Sequence, residues 1–253
     1  MKNLLLFTLT FVMSVSLYSQ RNNNSDYWNS WEYTAKEGMQ EKFMEAAAKK
    51  TAMFNNTPET AIITYRVVTG SNSGMFVRVE SGKSPASYDM DRTAEGKYWN
   101  ENVSKYIAKN GGQVRWQRLS NGSYDSDPEN TSPSKYVERT FFNVKADKIM
   151  HFRRFMTRIS KVAKKRDWKG SRSLFRLVSG GNRNQFILAA GFNTYKRAES
   201  TENENTFEED YNDLFGWGSF EEDVKNFDAS LEYWGEQKET LQLVPEMSTG
   251  MMK

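Results

Sequence analysis

The sequence contains no cysteine, 5 prolines and 1 histidine among its 253 residues. Without cysteine the chain forms no disulfide, so burial alone has to stabilise the fold. Few prolines, together with 14% aromatic residues, are typical of a folded chain rather than a disordered one. Because transition-metal sites are usually built from several histidines or cysteines, the sequence predicts neither a metal site nor a bound cofactor.

Long apolar runs are also absent, except at the amino terminus. Lys2 precedes an apolar stretch at 4–15, and Ser14, Ser16 and Ser19 follow it, which is the pattern of a secretory signal peptide. The stretch is shorter than the roughly 20 residues that a transmembrane helix needs. We therefore predict a signal peptide at 1–19 and export to the periplasm or medium of a bacterium, with no stable membrane anchor after cleavage. An uncleaved amino-terminal anchor is the alternative.

Charge of one sign is not in large excess, since the formal net charge is +3 over the full chain. Proteins that bind nucleic acids usually carry a large positive excess, so no nucleic-acid partner is predicted. One segment departs from this balance. The helix predicted at 147–166 is strongly basic, and the acidic run at 202–223 follows it. We expect these segments to pair with each other, and the alternative is an envelope surface built on Arg153, Arg154 and Arg158.

The chain repeats itself. The segment YRVVTGSN at 65–72, with Phe-Val at 76–77, reappears as FRLVSGGN at 175–182, with Phe-Ile at 186–187. Each copy predicts a strand, a tight turn and a second strand, because Gly and Asn supply the positive φ of a hairpin. A strand and a helix precede each copy, at 28–35 and 38–54 in the first case and at 136–144 and 147–166 in the second.

A helix and a strand also follow each hairpin. The first are predicted at 95–109 and 114–119, with Gly111 and Gly112 ending the helix. In the second copy helices are predicted at 207–215 and 220–234, and a last strand at 241–244. Each half thus has the βαββαβ order of a ferredoxin-like unit. The predicted divisions are 20–119 and 135–247 for the halves, 120–134 for a linker and 248–253 for a tail.

This order resembles the dimeric α+β barrel superfamily, which includes antibiotic-biosynthesis-monooxygenase-like proteins. The resemblance rests on the duplicated element order and covers nearly all of the chain after 1–19. It implies an α+β fold in which two ferredoxin-like halves pack sheet to sheet as a pseudo-dimeric barrel within one chain, so that no oligomer is required. Some barrels of this superfamily bind haem through a histidine, but we expect the single His151 to be structural or exposed.

The alternation of side chains along the strands sorts the candidate site residues. Ile63, Tyr65 and Val67 share one face, which we expect to lie under the helices. The opposite face is then expected to point into the space between the sheets, where the candidate ligand-binding residues are Arg66, Arg176, Arg78, Glu80, Trp31 and Trp116. These arginines either pair with Glu32, Glu80 or Glu138, or bind an anionic or planar ligand through their forked donors.

The sequence leaves the function open between three classes. The first expectation is an exported protein that binds a small organic molecule between the sheets. The second is a cofactor-free oxygenase of the monooxygenase-like kind, in which arginines stabilise a substrate anion. The third is an envelope interaction protein that uses the basic helix. No catalytic residue is assigned.

Overall fold

A computed structural model describes residues 26–198 and 204–250, so the predicted signal peptide lies outside the described residues. Over these ranges the chain forms nine strands and five helices: β1 (Tyr27–Ala35), α1 (Gln40–Phe54), β2 (Ile63–Val67), β3 (Phe76–Lys83), α2 (Thr93–Asn102), β4 (Ile107–Arg118), β5 (Tyr124–Asp125), β6 (Tyr136–Val144), α3 (Ile149–Lys165), β7 (Ser171–Ser179), β8 (Gln185–Phe192), α4 (Phe207–Phe215), α5 (Ser219–Ser230) and β9 (Leu231–Leu243). None of the described helices has the length and apolar character needed to cross a membrane.

The strands form one closed antiparallel barrel. Their order is β4-β1-β3-β2-β9-β6-β8-β7, and β4 pairs with β7 to close the ring. Within each half the order is that of a ferredoxin-like sheet, in which the last strand lies beside the first and the hairpin follows. The predicted α+β fold with two such halves is therefore confirmed. β5, inside the predicted linker, adds a short pairing to β7.

The interior of the barrel is apolar at both ends. One cluster contains Tyr65, Val67, Val77 and Leu241, and the other contains Trp116, Phe175, Leu177 and Ile187. Between them, the buried Arg139 donates through Nε to Glu239 at 2.7 Å and through Nη2 to Glu32 at 2.8 Å.

The predicted assignment of strand faces is consequently wrong. Tyr65 and Val67 point into the barrel rather than toward the helices. The opposite face, which carries Phe76 and Arg78, packs on α1 instead. Alternation separates the two sets of side chains, but a closed barrel buries apolar residues on both of its faces, so apolar character does not identify the helix side.

The helices cover the outside of each half in the same way. In the first half Phe43 of α1 packs on Phe76, with ring centroids 5.1 Å apart. In the second half Phe152 of α3 packs on Phe186 at 4.7 Å. These matched contacts fix which residues of the two halves are equivalent.

The basic helix α3 pairs with the acidic helices beside it, as predicted. Asp223 of α5 is buried and accepts from Arg154 and Arg158, each at 2.5 Å. Asp210 of α4 accepts from Arg166 at 2.5 Å. These arginines of α3, which would otherwise form part of a basic surface, are therefore paired with carboxylates of α4 and α5.

The last strand of each half is longer than predicted. β4 begins at Ile107 and β9 at Leu231, so Gly111 and Gly112 lie within a strand and do not end a helix. One extra residue is accommodated there as a bulge, since Trp31 is opposite Gln113 and Tyr33 is opposite Asn110. Gly112 has φ +76°, the conformation that glycine adopts at low cost.

Candidate functional site

A cavity of about 330 Å³ lies on the outer face of the first half, between helices α1 and α2 and strands β1, β3 and β4. Its volume is at the lower end of the roughly 300–1,000 Å³ range of small-molecule sites. It has an aromatic wall, a charged floor and a polar mouth.

The aromatic wall is formed by Trp31 and Tyr33 of β1 and Trp99 of α2. Tyr33 and Trp99 lie 5.0 Å apart between ring centroids, and both rings contact the core residue Phe43. Burial disfavours the phenolate and raises the pKa of Tyr33 to about 12, so its hydroxyl stays protonated at neutral pH. The wall offers flat, uncharged surface to a ligand.

The charged floor is centred on Arg78 and Glu80 of β3, whose side chains are both 1% exposed. Arg92 donates to Glu80 at 2.6 Å, and the buried Lys83 lies 3.7 Å from the same carboxylate. Arg78 donates to two threonine hydroxyls, those of Thr51 and Thr64. Glu80 is thus neutralised by two cations, neither of which is Arg78.

Lys50 of α1 and Glu95 of α2 form the second ion pair of the floor, and Lys50 also donates to Asn55 at 2.8 Å. Burial, and then the positive charge of Arg78, lower the pKa of Lys50 to about 8, although Glu95 opposes the change. Burial works against ionisation of Glu95, but the attraction of Lys50 keeps its pKa below the usual value. Lys50 is therefore the group in this cavity that exchanges a proton most easily near neutral pH.

The mouth of the cavity is exposed and is built from short or flexible groups. Gly96 and Asn100 of α2 lie on one side, and Asn110, Gly112 and Gln113 of the β4 bulge lie on the other. A Cβ atom added at Gly96 would have no heavy atom within 4 Å, so the glycine leaves open space over the cavity.

The second half has no such floor, although its core is equivalent. Phe142 packs on Phe152 as Tyr33 packs on Phe43, and Ser160 donates to the Met156 carbonyl as Thr51 donates to that of Ala47. At the positions of the floor and wall, apolar or small residues replace charged and aromatic ones: Ile159 for Lys50, Leu188 for Arg78, Ala190 for Glu80 and Thr140 for Trp31. The second half thus forms the same helix-on-sheet core without a charged cluster at these positions.

The structure brings together three of the six predicted site residues. Trp31, Arg78 and Glu80 line the cavity, but on the helix side of the sheet rather than between the sheets. The three that lie elsewhere are Arg66, Arg176 and Trp116.

The predicted placement is wrong for the two arginines, whereas Trp116 lies between the sheets as predicted but does not reach the cavity. Arg66 and Arg176 are exposed on the outside of the barrel, where Arg176 donates to Gln117 at 2.8 Å. Trp116 does face the barrel interior, but it is packed there and donates to Ser30 at 3.0 Å. All three lie outside the lining of the cavity. The two hairpin arginines are on the same face as Phe76 and Phe186, so they point away from the barrel axis.

Sequence reasoning missed Lys50, Glu95 and Trp99. A signal for Lys50 was present, because Phe43, Ala47 and Lys50 recur at the spacing of one helix face and all three are buried. A lysine on an apolar stripe is rarely buried unless it is paired. Glu95 and Trp99 share one face of α2 at a spacing of four residues, but nothing in the sequence indicates that this face meets Lys50.

Similar proteins are found by structure alone. No protein-family profile matches the chain, and neither does any curated protein sequence. Among solved structures, a candidate monooxygenase from Fusobacterium nucleatum has a TM-score of 0.57 at 11% identity, over 87% of this chain and 93% of that one. A candidate monooxygenase from Lactobacillus acidophilus has a TM-score of 0.53 at 11% identity, over 89% and 96%. An anthrone oxidase-like protein has a TM-score of 0.54 at 11% identity, over 91% and 96%.

These likenesses extend over both halves and agree with the closed ring of two ferredoxin-like sheets. The chain has the dimeric α+β barrel fold. The resemblance predicted from the duplicated element order is confirmed at the level of fold. At such low sequence identity a shared barrel fold does not establish a shared activity, because the same architecture hosts many functions.

A chlorite dismutase from Candidatus Nitrospira defluvii shares the barrel fold, with a TM-score of 0.52 at 9% identity over 89% of this chain and 93% of that one. The described residues do not fit a haem group held by the single histidine. His151 is partly buried near the start of α3 in the second half, whereas the cavity is in the first half and no histidine lines it. Among residues 26–198 and 204–250, no cluster of three or more His, Asp or Glu side chains is placed to hold a metal ion.

Proposed function

We propose that this chain binds a small organic molecule in the first-half cavity. The observation that carries the proposal is a difference between the two repeated halves: only the first has charged residues at these positions beside its core. The second half builds the same helix-on-sheet core with Ile159, Leu188 and Ala190, so folding does not require the charges at the equivalent positions. Buried charges are costly to fold around, and a costly cluster beside an open cavity indicates a binding role.

The shape of the cavity supports the same proposal. Three aromatic side chains line one wall, several polar groups converge from the floor, and an exposed glycine leaves the mouth open. An apolar wall that faces convergent polar groups is a recurring feature of ligand pockets, and the polar share of this one is high. We further propose, from the signal-peptide pattern at 1–19, that binding takes place outside the cytoplasm.

A cofactor-free oxygenase is the second candidate. It is favoured by the names of three solved structures of the same fold, which are monooxygenase candidates and an anthrone oxidase-like protein. It is also favoured by Lys50, whose pKa of about 8 would let its neutral amine accept a proton from a bound substrate. The nearby Arg78 guanidinium would stabilise the resulting anion. Uptake of O₂ when the protein is supplied with the compound that it binds would distinguish an oxygenase from a protein that only binds the compound.

The binding proposal is tested by closing the mouth with Gly96→Leu. Gly96 lies in helix α2 with open space around its Cβ position, so the substitution introduces no clash there and removes the helix cost of glycine, about 1 kcal/mol. Gly96→Ala is the matched control, because it gives the same helix benefit without filling the mouth. We expect native mass spectrometry of protein incubated with a small-molecule extract of its host to detect a bound compound in the wild type and in Gly96→Ala, but not in Gly96→Leu.

Trp31 and Trp99 line the cavity, so tryptophan fluorescence gives an independent readout of the same titration. Equal retention by Gly96→Leu and Gly96→Ala would place the compound elsewhere and contradict the proposal. A clean apo mass together with unchanged fluorescence in the wild type would also count against it.

A further inference from the structure

One cation of the cavity floor has no ion-pair partner among the described residues. Arg78 donates through Nε to Thr64 Oγ1 at 3.3 Å and through Nη2 to Thr51 Oγ1, and both acceptors are neutral. Among the described residues Arg78 has no carboxylate within 4.0 Å. A buried guanidinium is normally paired.

The two carboxylates of the floor are already satisfied by other cations. Glu80 is paired with Arg92 and Lys83, and Glu95 is paired with Lys50. Arg78 is therefore the one cation of the described floor without a carboxylate within 4.0 Å, and the floor has four cations against two carboxylates. The Arg78 Cζ atom lies 5.4 Å from the centre of the Trp99 ring, so this charge sits next to the aromatic wall.

We infer that the ligand is a planar aromatic carboxylate, whose carboxylate binds Arg78 and whose ring lies against the wall formed by Trp31 and Trp99. The inference rests on the proposed binding function and names the chemical class of the ligand. The excess of cations over carboxylates in the floor favours an anionic ligand, and Arg78 is the cation that lacks an ion-pair partner. A guanidinium edge binds a carboxylate through directed N–H donors, and the wall has the flat surface that an aromatic ring prefers.

The inference predicts an unusual stability effect. Removing Arg78 takes away a buried charge that has no direct ion-pair partner, while Thr51 and Thr64 keep their hydrogen bonds to the carbonyls of Ala47 at 2.9 Å and Met247 at 3.0 Å. The second half has Leu188 at the equivalent position. We therefore expect Arg78→Leu to melt about 2–4 °C higher than the wild type in the absence of ligand.

The test uses the full chain and two probes of the same shape, 2-naphthoate and its neutral amide, 2-naphthamide. We expect the wild type to bind 2-naphthoate at least tenfold more tightly than 2-naphthamide by tryptophan fluorescence. Arg78→Leu should lose that preference. Arg66→Leu is the matched control, because Arg66 is an exposed arginine on the neighbouring strand and lies outside the cavity. It should retain the preference of the wild type.

Several outcomes overturn the inference without touching the proposed function. Equal binding of the two probes, or binding of neither while native mass spectrometry detects a retained compound, would show that the ligand is not an aromatic carboxylate. A large fall in the melting temperature of Arg78→Leu would make Arg78 a structural residue. If that variant does not fold, Arg78→Lys keeps the charge, and the inference requires it to keep part of the preference for 2-naphthoate. Failure of the proposed function itself appears instead in the Gly96→Leu comparison and in the wild-type mass and fluorescence.

Discussion

At the scale of single residues, the two halves differ in what they bury beside an equivalent core. The first half buries Lys50, Arg78, Glu80 and Lys83 close together, each at most 5% exposed. Such groups stabilise a fold poorly, because the loss of hydration offsets much of the attraction between them. The second half also buries charged residues, such as Arg172 and Asp223, but none at the positions equivalent to Lys50, Arg78 and Glu80. This difference indicates that the first-half cluster is kept for what it contacts, and each member should have a measurable effect on stability.

Lys50 predicts a rise of stability with pH. Its pKa of about 8 in the folded chain lies below the ordinary value of 10.5, so between these values the unfolded chain binds more protons. The free energy of unfolding should therefore increase from pH 8 to pH 10.5, by about 3 kcal/mol from this residue. Urea unfolding of Lys50→Met should lack this contribution. The adjacent, exposed Lys49 provides the control, and Lys49→Met should follow the wild type at every pH.

At the scale of elements, the pairing of α3 with α4 and α5 converts a strongly basic helix into an internal interface. Asp223 accepts from Arg154, Arg158 and the Tyr211 hydroxyl, all within 2.6 Å. Arg153, Lys161 and Lys164 remain exposed on α3. An envelope partner would meet only this remainder, so the residues at the centre of that hypothesis, Arg154 and Arg158, are already occupied by Asp223.

Asp223→Asn should destabilise the chain by about 3–5 kcal/mol, because two arginines would lose their shared buried counter-charge. Burial disfavours the charged carboxylate, but the hydrogen bonds from Tyr211 and Arg158 hold the pKa of Asp223 below its usual value. The difference from the wild type should thus be complete at neutral pH and disappear as the pH falls through that lowered pKa. Thermal melts at several pH values measure it. Glu222→Gln is the control: Glu222 is 69% exposed, so its loss should cost no more than about 1 kcal/mol.

The sequence predicted the elements well and their environment less well. The repeat at 65–72 and 175–182 gave the order of both halves, because hairpins and helix stripes are local patterns. The sequence pattern could not show which face of β2 and β3 points into the barrel and which lies under the helices, since both environments are apolar. Trp31, Arg78 and Glu80 could be selected as polar or aromatic residues on a buried face. Their meeting with Lys50, Glu95 and Trp99 depends on how α1 and α2 pack, which no local pattern encodes.

At the scale of the whole molecule, the barrel is closed by two equivalent seams between the halves. β2 pairs with β9 at one seam and β4 pairs with β7 at the other. Each repeated hairpin places its first glycine at a seam. Gly70 lies beside Lys238 and Glu239, and Gly180 lies beside Gln113 and Val114.

Alanine substitutions at these glycines should measure how tightly each seam is packed. Both glycines have positive φ, +86° at Gly70 and +97° at Gly180, so alanine costs about 1–2 kcal/mol at either position. At Gly180 the new Cβ would also lie 2.8 Å from the Gln113 carbonyl oxygen, whereas at Gly70 the shortest contact would be 3.5 Å. We expect Gly180→Ala to lose at least about 1 kcal/mol more than Gly70→Ala in urea unfolding. Equal losses would show that the β4–β7 seam yields to accommodate the methyl group.

The closure of the barrel has a consequence for how the chain unfolds and aggregates. In the closed barrel the outer strands of each half-sheet are paired with the other half, so neither half-sheet presents a long unpaired edge. If one half opened, the strands released at both seams would become templates for pairing with other molecules. Selection against that outcome would favour a chain whose halves melt together, so that partly opened molecules stay rare and aggregation is avoided.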